Sequence, residues 1–251
     1  MPDSQENIKK YSLPSGRQEK QFQKLMTTAI LTAAGSGSRF YSNQKTKTPK
    51  QFLNLLGKPV ILYSLNALQK SSFIRQIIIA ADKNYFELLH SLLYKFRITK
   101  ANVLVEGGKT RFDSVKKAFS QINAGVNDLV LIHDAARPNI NTNLVDDVLG
   151  YAVKYGNTVV GTKITDTIKL QRKGKIIKTI DRELLWTVQT PQVFMYNELK
   201  KAYAKNRSNR HTDESSLVES CGFKVNIFEG PKENIKLTDY NDFLLLKKLM
   251  S

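Results

Sequence analysis

The chain has 251 residues, 41% hydrophobic and 24% charged, ordinary proportions for a globular protein of one large or two small domains. Its single cysteine, Cys221, excludes an internal disulfide and metal-binding cysteine pairs and fits a reducing, cytosolic compartment, and no apolar run approaches a membrane span. The net charge of +17 suits anionic partners such as nucleotides and sugar phosphates, but the lysines are spread along the chain, so most of the excess reads as solvated surface.

Residues 1–26 are polar, lack apolar periodicity and include Pro14 and Gly16. They read as a disordered or loosely attached tail without the apolar core of a secretory signal. Residues 27–251 are expected to form a single domain. Residues 29–31 predict a short buried strand, and 59–69 a helix with Val60, Tyr63, Ala67 and Leu68 inward. The β-branched run over 77–81 suits a strand covered on both faces. A helix over 85–96 and a strand over 103–105 follow. The spacing of Val115, Ala118, Phe119 and Ile122 predicts a helix over 111–122. Next come a strand over 129–133, a helix over 142–155 with Thr142 as N-cap, and a strand over 158–161. This alternation predicts an α/β fold, with a mainly parallel, Rossmann-like sheet flanked by helices.

Residues 163–188 break the alternation. Two alternating stretches, 165–170 and 175–180, flank Arg172-Lys173-Gly174 and read as a projecting β-hairpin. Helices over 197–205 and 213–220, a strand over 224–229 and a helix over 239–250 complete the reading.

Ligands of such sheets bind beyond the carboxyl ends of the strands. The glycine loop after Leu31, the Gly107-Gly108 pair and Asp134 all fall there. Ala33-Ala34-Gly35-Ser36-Gly37-Ser38-Arg39 can bring backbone N–H groups close to phosphate, with cations at Arg39 and, after Pro49, at Lys50. It is not a dinucleotide fingerprint, because Phe40 stands where the last glycine belongs. Gly108-Lys109-Thr110 is not a P-loop, because Val103 stands where the first glycine belongs. His133-Asp134-Ala135-Ala136-Arg137-Pro138 follows an apolar strand, and its aspartate suits Mg²⁺ or a ribose hydroxyl. Gly107-Gly108 with Arg111 and Ser114 suits a nucleobase pocket and a plain turn with a capped helix about equally. Asp181-Arg182, Thr190-Pro191-Gln192 and Asn234-Ile235-Lys236 are weak singly. Asp213-Glu214 reads as a helix start, where acidic residues suit the dipole. No histidine pair has metal-ligand spacing, and no RNA-binding aromatic-glycine motif is present.

In their order and spacing these pieces resemble the 2-C-methyl-D-erythritol 4-phosphate cytidylyltransferase family, from about Thr27 to the C-terminus. Asp113-Ser114-Val115, Asp166-Thr167, Leu185-Trp186 and Thr212-Asp213-Glu214 belong to the same pattern. The resemblance implies a nucleotidyltransferase sheet and transfer of CMP from CTP to methylerythritol phosphate in non-mevalonate isoprenoid synthesis. It casts Arg39 and Lys50 as stabilising the pentavalent transition state at the CTP α-phosphate. Arg182 and Lys236 would position the sugar phosphate. Ala33, Ala34, Gly35, Gly37, Gly108, Arg111 and Ser114 would line the nucleotide, with Asp134 and Ala135 beside it. Asp134, Arg137, Thr167 and Thr190 would surround the methylerythritol phosphate. Asp134 is also the candidate ligand for Mg²⁺ or another divalent cation. The hairpin, about 163–188, would be an arm embracing a second copy of the chain and lending it Thr167 and Arg182. The implied protein is a cytoplasmic homodimer with neither nucleic acid nor membrane as partner.

Three departures from the family pattern stand out. Thr32 replaces a usual proline, Lys109 stands where an acidic residue occurs, and the loop from Arg39 to Lys50 is longer than expected. The related ribitol-5-phosphate cytidylyltransferases tend to have Ala-Gly-Gly where this chain has Ala34-Gly35-Ser36, and valine at Ala136. Both points favour methylerythritol phosphate. A non-catalytic nucleotide-binding protein on the same fold is the other alternative. Retention of Arg39, Lys50, Arg182 and Lys236 argues against it, since a binder needs no attack geometry.

Overall fold

A computed structural model describes residues 27–35, 37, 40, 48–123, 125, 128–206 and 211–251. The expected tail and Arg39 lie outside the described residues, as does the loop over 41–47.

In chain order the elements are β1 (Thr27–Ala33), β2 (Asn54–Leu55), β3 (Lys58–Pro59), α1 (Val60–Lys70), β4 (Ile74–Ala81), α2 (Phe86–Lys95), β5 (Ala101–Glu106) and α3 (Arg111–Phe119). There follow β6 (Leu129–Asp134), α4 (Thr142–Tyr155), β7 (Thr158–Lys163), β8 (Ile168–Arg172), β9 (Lys175–Ile180) and β10 (Trp186–Met195). The last are α5 (Tyr196–Lys205), α6 (Glu214–Ser220), β11 (Asn226–Glu229) and α7 (Tyr240–Met250). Seven strands form one sheet in the order β11-β7-β10-β6-β1-β4-β5. Only β10 runs antiparallel to its neighbours in it.

The central strands are apolar on both faces because helices cover both. Along β1, Ala29, Leu31 and Ala33 face one core with Leu62 and Leu65 of α1 and Val145 and Leu149 of α4. Ile30 faces the other, with Val115 of α3, Leu199 of α5 and Leu217 of α6. The period-two alternation of a strand thus divides one sequence run between two layers. A third cluster joins Phe40, Leu55, Val60, Ala136, Leu237 and Leu246 at the carboxyl end of the sheet. It ties the end of the glycine loop to α7, whose Tyr240 and Phe243 meet the Phe40 ring edge-on at 6.3 and 6.4 Å.

One sequence expectation needs correction. The N-cap of α4 is Asn141, whose side chain accepts from the Leu144 N–H at 2.8 Å, not Thr142. Strand β10 is an element the sequence pattern does not mark, since Thr190-Pro191-Gln192 interrupts it. Proline cannot donate to a ladder. The strand accommodates it with a register shift between Val188 and Gln192, after which Gln192 and Val193 pair on both sides. The expected hairpin is present as β8 and β9, which pair only with each other, through a turn in which Lys173 and Gly174 both have positive φ.

Candidate active site

The carboxyl ends of β1 and β6 lie side by side, with Thr32 in register with Asp134. The chain then turns sharply. The Arg137 N–H donates to the Asp134 carbonyl at 2.9 Å, and the Ala135 N–H to the Thr32 carbonyl at 3.0 Å. Beneath this turn His133 is fully buried, and burial pushes its pKa down to about 4. The neutral ring bridges two partners: Nε2 lies 3.3 Å from the Arg137 carbonyl, and Nδ1 lies 3.1 Å from the Thr190 hydroxyl. A carbonyl can only accept, so Nε2 carries the proton and Nδ1 accepts from Thr190. The Thr190 oxygen in turn accepts the Asp134 N–H at 3.1 Å. This chain of donors holds the backbone at Asp134.

The Asp134 carboxylate is 5% exposed and surrounded by donors. Oδ1 accepts from Arg111 Nε at 2.8 Å and from the Thr32 hydroxyl at 3.0 Å, and Oδ2 accepts from Lys236 Nζ at 2.5 Å. Burial works against its charge, but Arg111 and Lys236 outweigh burial and hold the carboxyl far below the usual range. Arg111 in turn donates through NH1 to Glu214 Oε2 at 2.7 Å. Burial alone would lower the guanidinium pKa; the two carboxylates raise it instead. The departure at Thr32 therefore contributes a hydrogen bond that proline could not make.

Lys236 lies in a strap pinned to the same turn. The Leu237 N–H donates to the Ala136 carbonyl at 2.7 Å, and Arg137 NH1 to the Asn234 carbonyl at 2.7 Å. Asn234 is fully buried, and its amide donates to Gln189 Oε1 at 2.9 Å and to the Thr190 carbonyl at 2.8 Å. The Leu237 carbonyl accepts from Lys50 Nζ at 2.5 Å. Lys50 thus meets the residue next to Lys236, although the two lysines are far apart in sequence. Gln51, beside Lys50, donates to the Ala33 carbonyl at 2.5 Å and to the Gly35 carbonyl at 3.3 Å, lashing this segment to the glycine loop.

That loop is packed closely. A Cβ on Gly107 would lie 2.2 Å from the Ala34 Cβ, so only glycine lets the two loops touch. Gly37 has φ of 71°, and its carbonyl accepts the Phe40 N–H at 2.8 Å. The Gly108 N–H donates to the Ser114 hydroxyl at 2.9 Å, so Ser114 shapes the loop from beneath. Thr110 and Asp113 close a capping box at the start of α3, just before Arg111 points toward Asp134.

The family model described as "IspD: 2-C-methyl-D-erythritol 4-phosphate cytidylyltransferase" matches residues 27–251. The chain belongs to this family. It is 40% identical to the 2-C-methyl-D-erythritol 4-phosphate cytidylyltransferase of Endomicrobium trichonymphae over 227 residues, 90% of this chain and 99% of the relative. It is 35% identical to the protein of the same name from Clostridium acetobutylicum over 229 residues, 90% and 97% of the two chains. The crystal structure of 4-diphosphocytidyl-2C-methyl-D-erythritol synthase from Anaerococcus prevotii matches with a TM-score of 0.75 at 25% identity, over 90% of this chain and 98% of that one. The structure from Francisella tularensis matches with a TM-score of 0.73 at 28% identity, over 89% and 99%.

Within this family member, the fold brings together Lys50, Arg111, Asp134, Arg137, Thr190 and Lys236, with Ala33, Ala34, Gly35 and Ala135 on the adjoining loops. Thr167 and Arg182 are elsewhere, exposed near the base of the hairpin, where the Arg182 guanidinium donates to the Thr165 carbonyl. Among the described residues neither is hydrogen-bonded to the Asp134 cluster. Sequence reasoning gave too little weight to Gln51, His133 and Asn234, which act through buried hydrogen bonds. Its helix-start reading of Asp213-Glu214 holds, but it does not reveal the contact of Glu214. Asp213 does cap α6, accepting from the Ser216 N–H at 3.1 Å, but Glu214 is fully buried against Arg111.

A divalent cation fits poorly on Asp134 in this arrangement. Both its oxygens already face cations, so a metal there would meet Arg111 and Lys236. Among the described residues no group of three or more His, Cys, Asp or Glu side chains is arranged to hold a metal. Nor is any helix among them long and apolar enough to cross a membrane.

Proposed function

We propose that this enzyme transfers CMP from CTP to 2-C-methyl-D-erythritol 4-phosphate, releasing pyrophosphate and giving 4-diphosphocytidyl-2-C-methyl-D-erythritol for non-mevalonate isoprenoid synthesis. The observation that carries the reading is the docking of Lys50 on the strap that carries Lys236, beside a glycine loop at the carboxyl ends of a mainly parallel sheet. A phosphate oxygen of the sugar attacks the α-phosphorus of CTP. A new P–O bond forms, the bond from that phosphorus to the bridging oxygen of the β-phosphate breaks, and pyrophosphate leaves. The nucleophile is already anionic, so no general base is required, and the site holds His133 neutral and buried rather than poised for proton transfer. The work is positioning and charge stabilisation. In this reading Lys50 and Arg39 act at the α-phosphate, and Lys236 with Arg182 holds the attacking phosphate. Mg²⁺ or another divalent cation arriving with CTP would supply neutralisation of phosphate charge.

The same reading makes the enzyme a cytoplasmic homodimer. Its support is the hairpin, which exposes Leu170 (45%), Ile176 (65%) and Ile177 (57%), with Leu184 (83%) just beyond. A two-stranded ribbon is marginal alone, and a second subunit would cover these side chains while receiving Thr167 and Arg182. The test is pyrophosphate release from CTP and Mg²⁺ with methylerythritol phosphate and ribitol 5-phosphate offered separately. Release with methylerythritol phosphate is expected. Release only with ribitol 5-phosphate would move the chain to that specificity, and release with neither would favour a nucleotide-binding protein.

A further inference from the structure

We infer that Glu214 is a positioning residue for the transfer reaction: its buried carboxylate sets the orientation of Arg111, and through Arg111 that of Asp134. The inference rests on the proposed reading in taking Arg111 as a residue of the nucleotide side of the site. Four charged groups alternate in sign from α6 to the strap. Glu214 meets Arg111 at 2.7 Å, Arg111 meets Asp134 at 2.8 Å, and Asp134 meets Lys236 at 2.5 Å. Each comes from a different segment, so the chain of contacts crosses the carboxyl end of the sheet.

The geometry at Arg111 is unusual for an arginine beside a carboxylate. Guanidinium groups commonly engage one carboxylate with two parallel donors. Here NH1 is drawn to Glu214, Nε alone meets Asp134, and NH2 has no hydrogen-bond partner. Glu214 thus decides which edge of the guanidinium faces Asp134. Helix stability does not account for it, because Asp213 already caps α6. Net stabilisation is a weak reason as well, since burying an ion pair gains little over apolar packing. A fully buried carboxylate held by Arg111, with the Tyr203 hydroxyl beside it, is better explained by the orientation it imposes. Phe112 and Leu217 are buried in the apolar cluster on this side of the sheet, where Tyr203 packs on Phe112 at 5.5 Å.

The test uses full-length Glu214→Ala and Glu214→Gln variants, assayed for KM and kcat with each substrate. The alanine variant is expected to raise KM for CTP roughly 10-fold, short of the roughly 10²-fold that a misplacement of about 1 Å can cost. KM for methylerythritol phosphate should rise by less, because Asp134 and Lys236 lie one and two contacts further from Glu214. Glutamine keeps an acceptor at the same reach and should recover most of the loss. A folded alanine variant with wild-type KM for CTP would overturn the inference. So would a glutamine variant as impaired as alanine, which would point to charge balance rather than position. If the alanine variant does not fold, Glu214→Asp replaces it, withdrawing the acceptor while keeping the charge. A second readout needs no substrate. The Arg111 Nε–H resonance in nitrogen-15 NMR should be slowly exchanging in the wild type and averaged in the alanine or aspartate variant. An unchanged resonance would also overturn the inference. Wild-type protein that does not use CTP would instead count against the proposed function, leaving the NMR comparison to decide the role of Glu214.

Discussion

Lys50 and His133 show how differently two residues of one site act. Lys50 carries a mobile charge on a long stem, and its ammonium rests on the Leu237 carbonyl at 2.5 Å. A phosphate is a stronger acceptor than a neutral carbonyl, so CTP is expected to draw the ammonium away. Lys50→Ala should lower kcat by roughly 10²–10³, the scale of losing one preorganised donor at a developing charge. Steady-state kinetics on the folded variant check this, and near-wild-type turnover would remove Lys50 from the chemistry. His133 acts by staying neutral. Burial lowers its pKa from 6.5 to about 4, so between those values the unfolded chain binds a proton that the folded one refuses. The His133 contribution therefore makes stability rise with pH across that window and fall as the solution is acidified. Urea unfolding at pH 6.5 and pH 5 should show this component as about 2 kcal/mol. It should be missing from the same comparison on His133→Gln. Equal pH dependence in the two proteins would contradict the account.

At the scale of elements, the site depends on loops that touch because side chains are missing. Gly107 follows β5 and Ala34 follows β1, and a Cβ on Gly107 would sit 2.2 Å from that of Ala34. Neither group is a flexible chain end, so backbone must move. Gly107→Ala should destabilise by about 1–3 kcal/mol, the range for overpacking, and should weaken CTP binding as the loops part. Gly35 is the control: a Cβ there meets nothing within 4 Å. Gly35→Ala should leave stability within about 0.5 kcal/mol of wild type, as at other unencumbered positions. Chemical denaturation of both variants tests the contrast, and equal losses would refute it. The strand β10 belongs to this scale too. Its central residues serve both sheet and site: Thr190 holds Asp134, and Gln189 meets Asn234. A strand interrupted by proline and polar residues is what such double use looks like in sequence.

The whole molecule raises the matter of Arg182. It lies near the hairpin base, without a hydrogen bond to the Asp134 cluster among the described residues, while the hairpin exposes a row of apolar side chains. If each site is completed by the neighbouring subunit, Lys50→Ala and Arg182→Ala dimers should each be severely impaired. Mixing and refolding the two variants together should then restore activity. A mixed dimer has one site with both residues intact, so random pairing in a two-fold dimer gives roughly a quarter of wild-type turnover. No recovery on mixing, with mixed dimers verified by mass spectrometry, would place Arg182 in its own subunit's site or outside the site altogether.

Periodic and contiguous features were legible without the fold. Apolar alternation and helical spacing marked the layers from β1 to α4, and short motifs marked the strand ends where Asp134 and the glycines lie. Phe40 and Val103, standing where glycines belong, also sufficed to exclude the dinucleotide and P-loop arrangements. The remaining features depend on how distant segments pack. Glu214 looked like an N-terminal helix acid, and its burial against Arg111 depends on where α6 packs. Asn234 and Gln51 looked unremarkable because an amide's role is set by which carbonyls surround it. The partnership of Lys50 with the Lys236 strap joins residues 187 positions apart along the chain, from Lys50 to Leu237. Local pattern records the period of an element and the chemistry of a side chain. It does not record which distant groups will share a low-dielectric space, and there the hydrogen bonds and charges of this site acquire their strength.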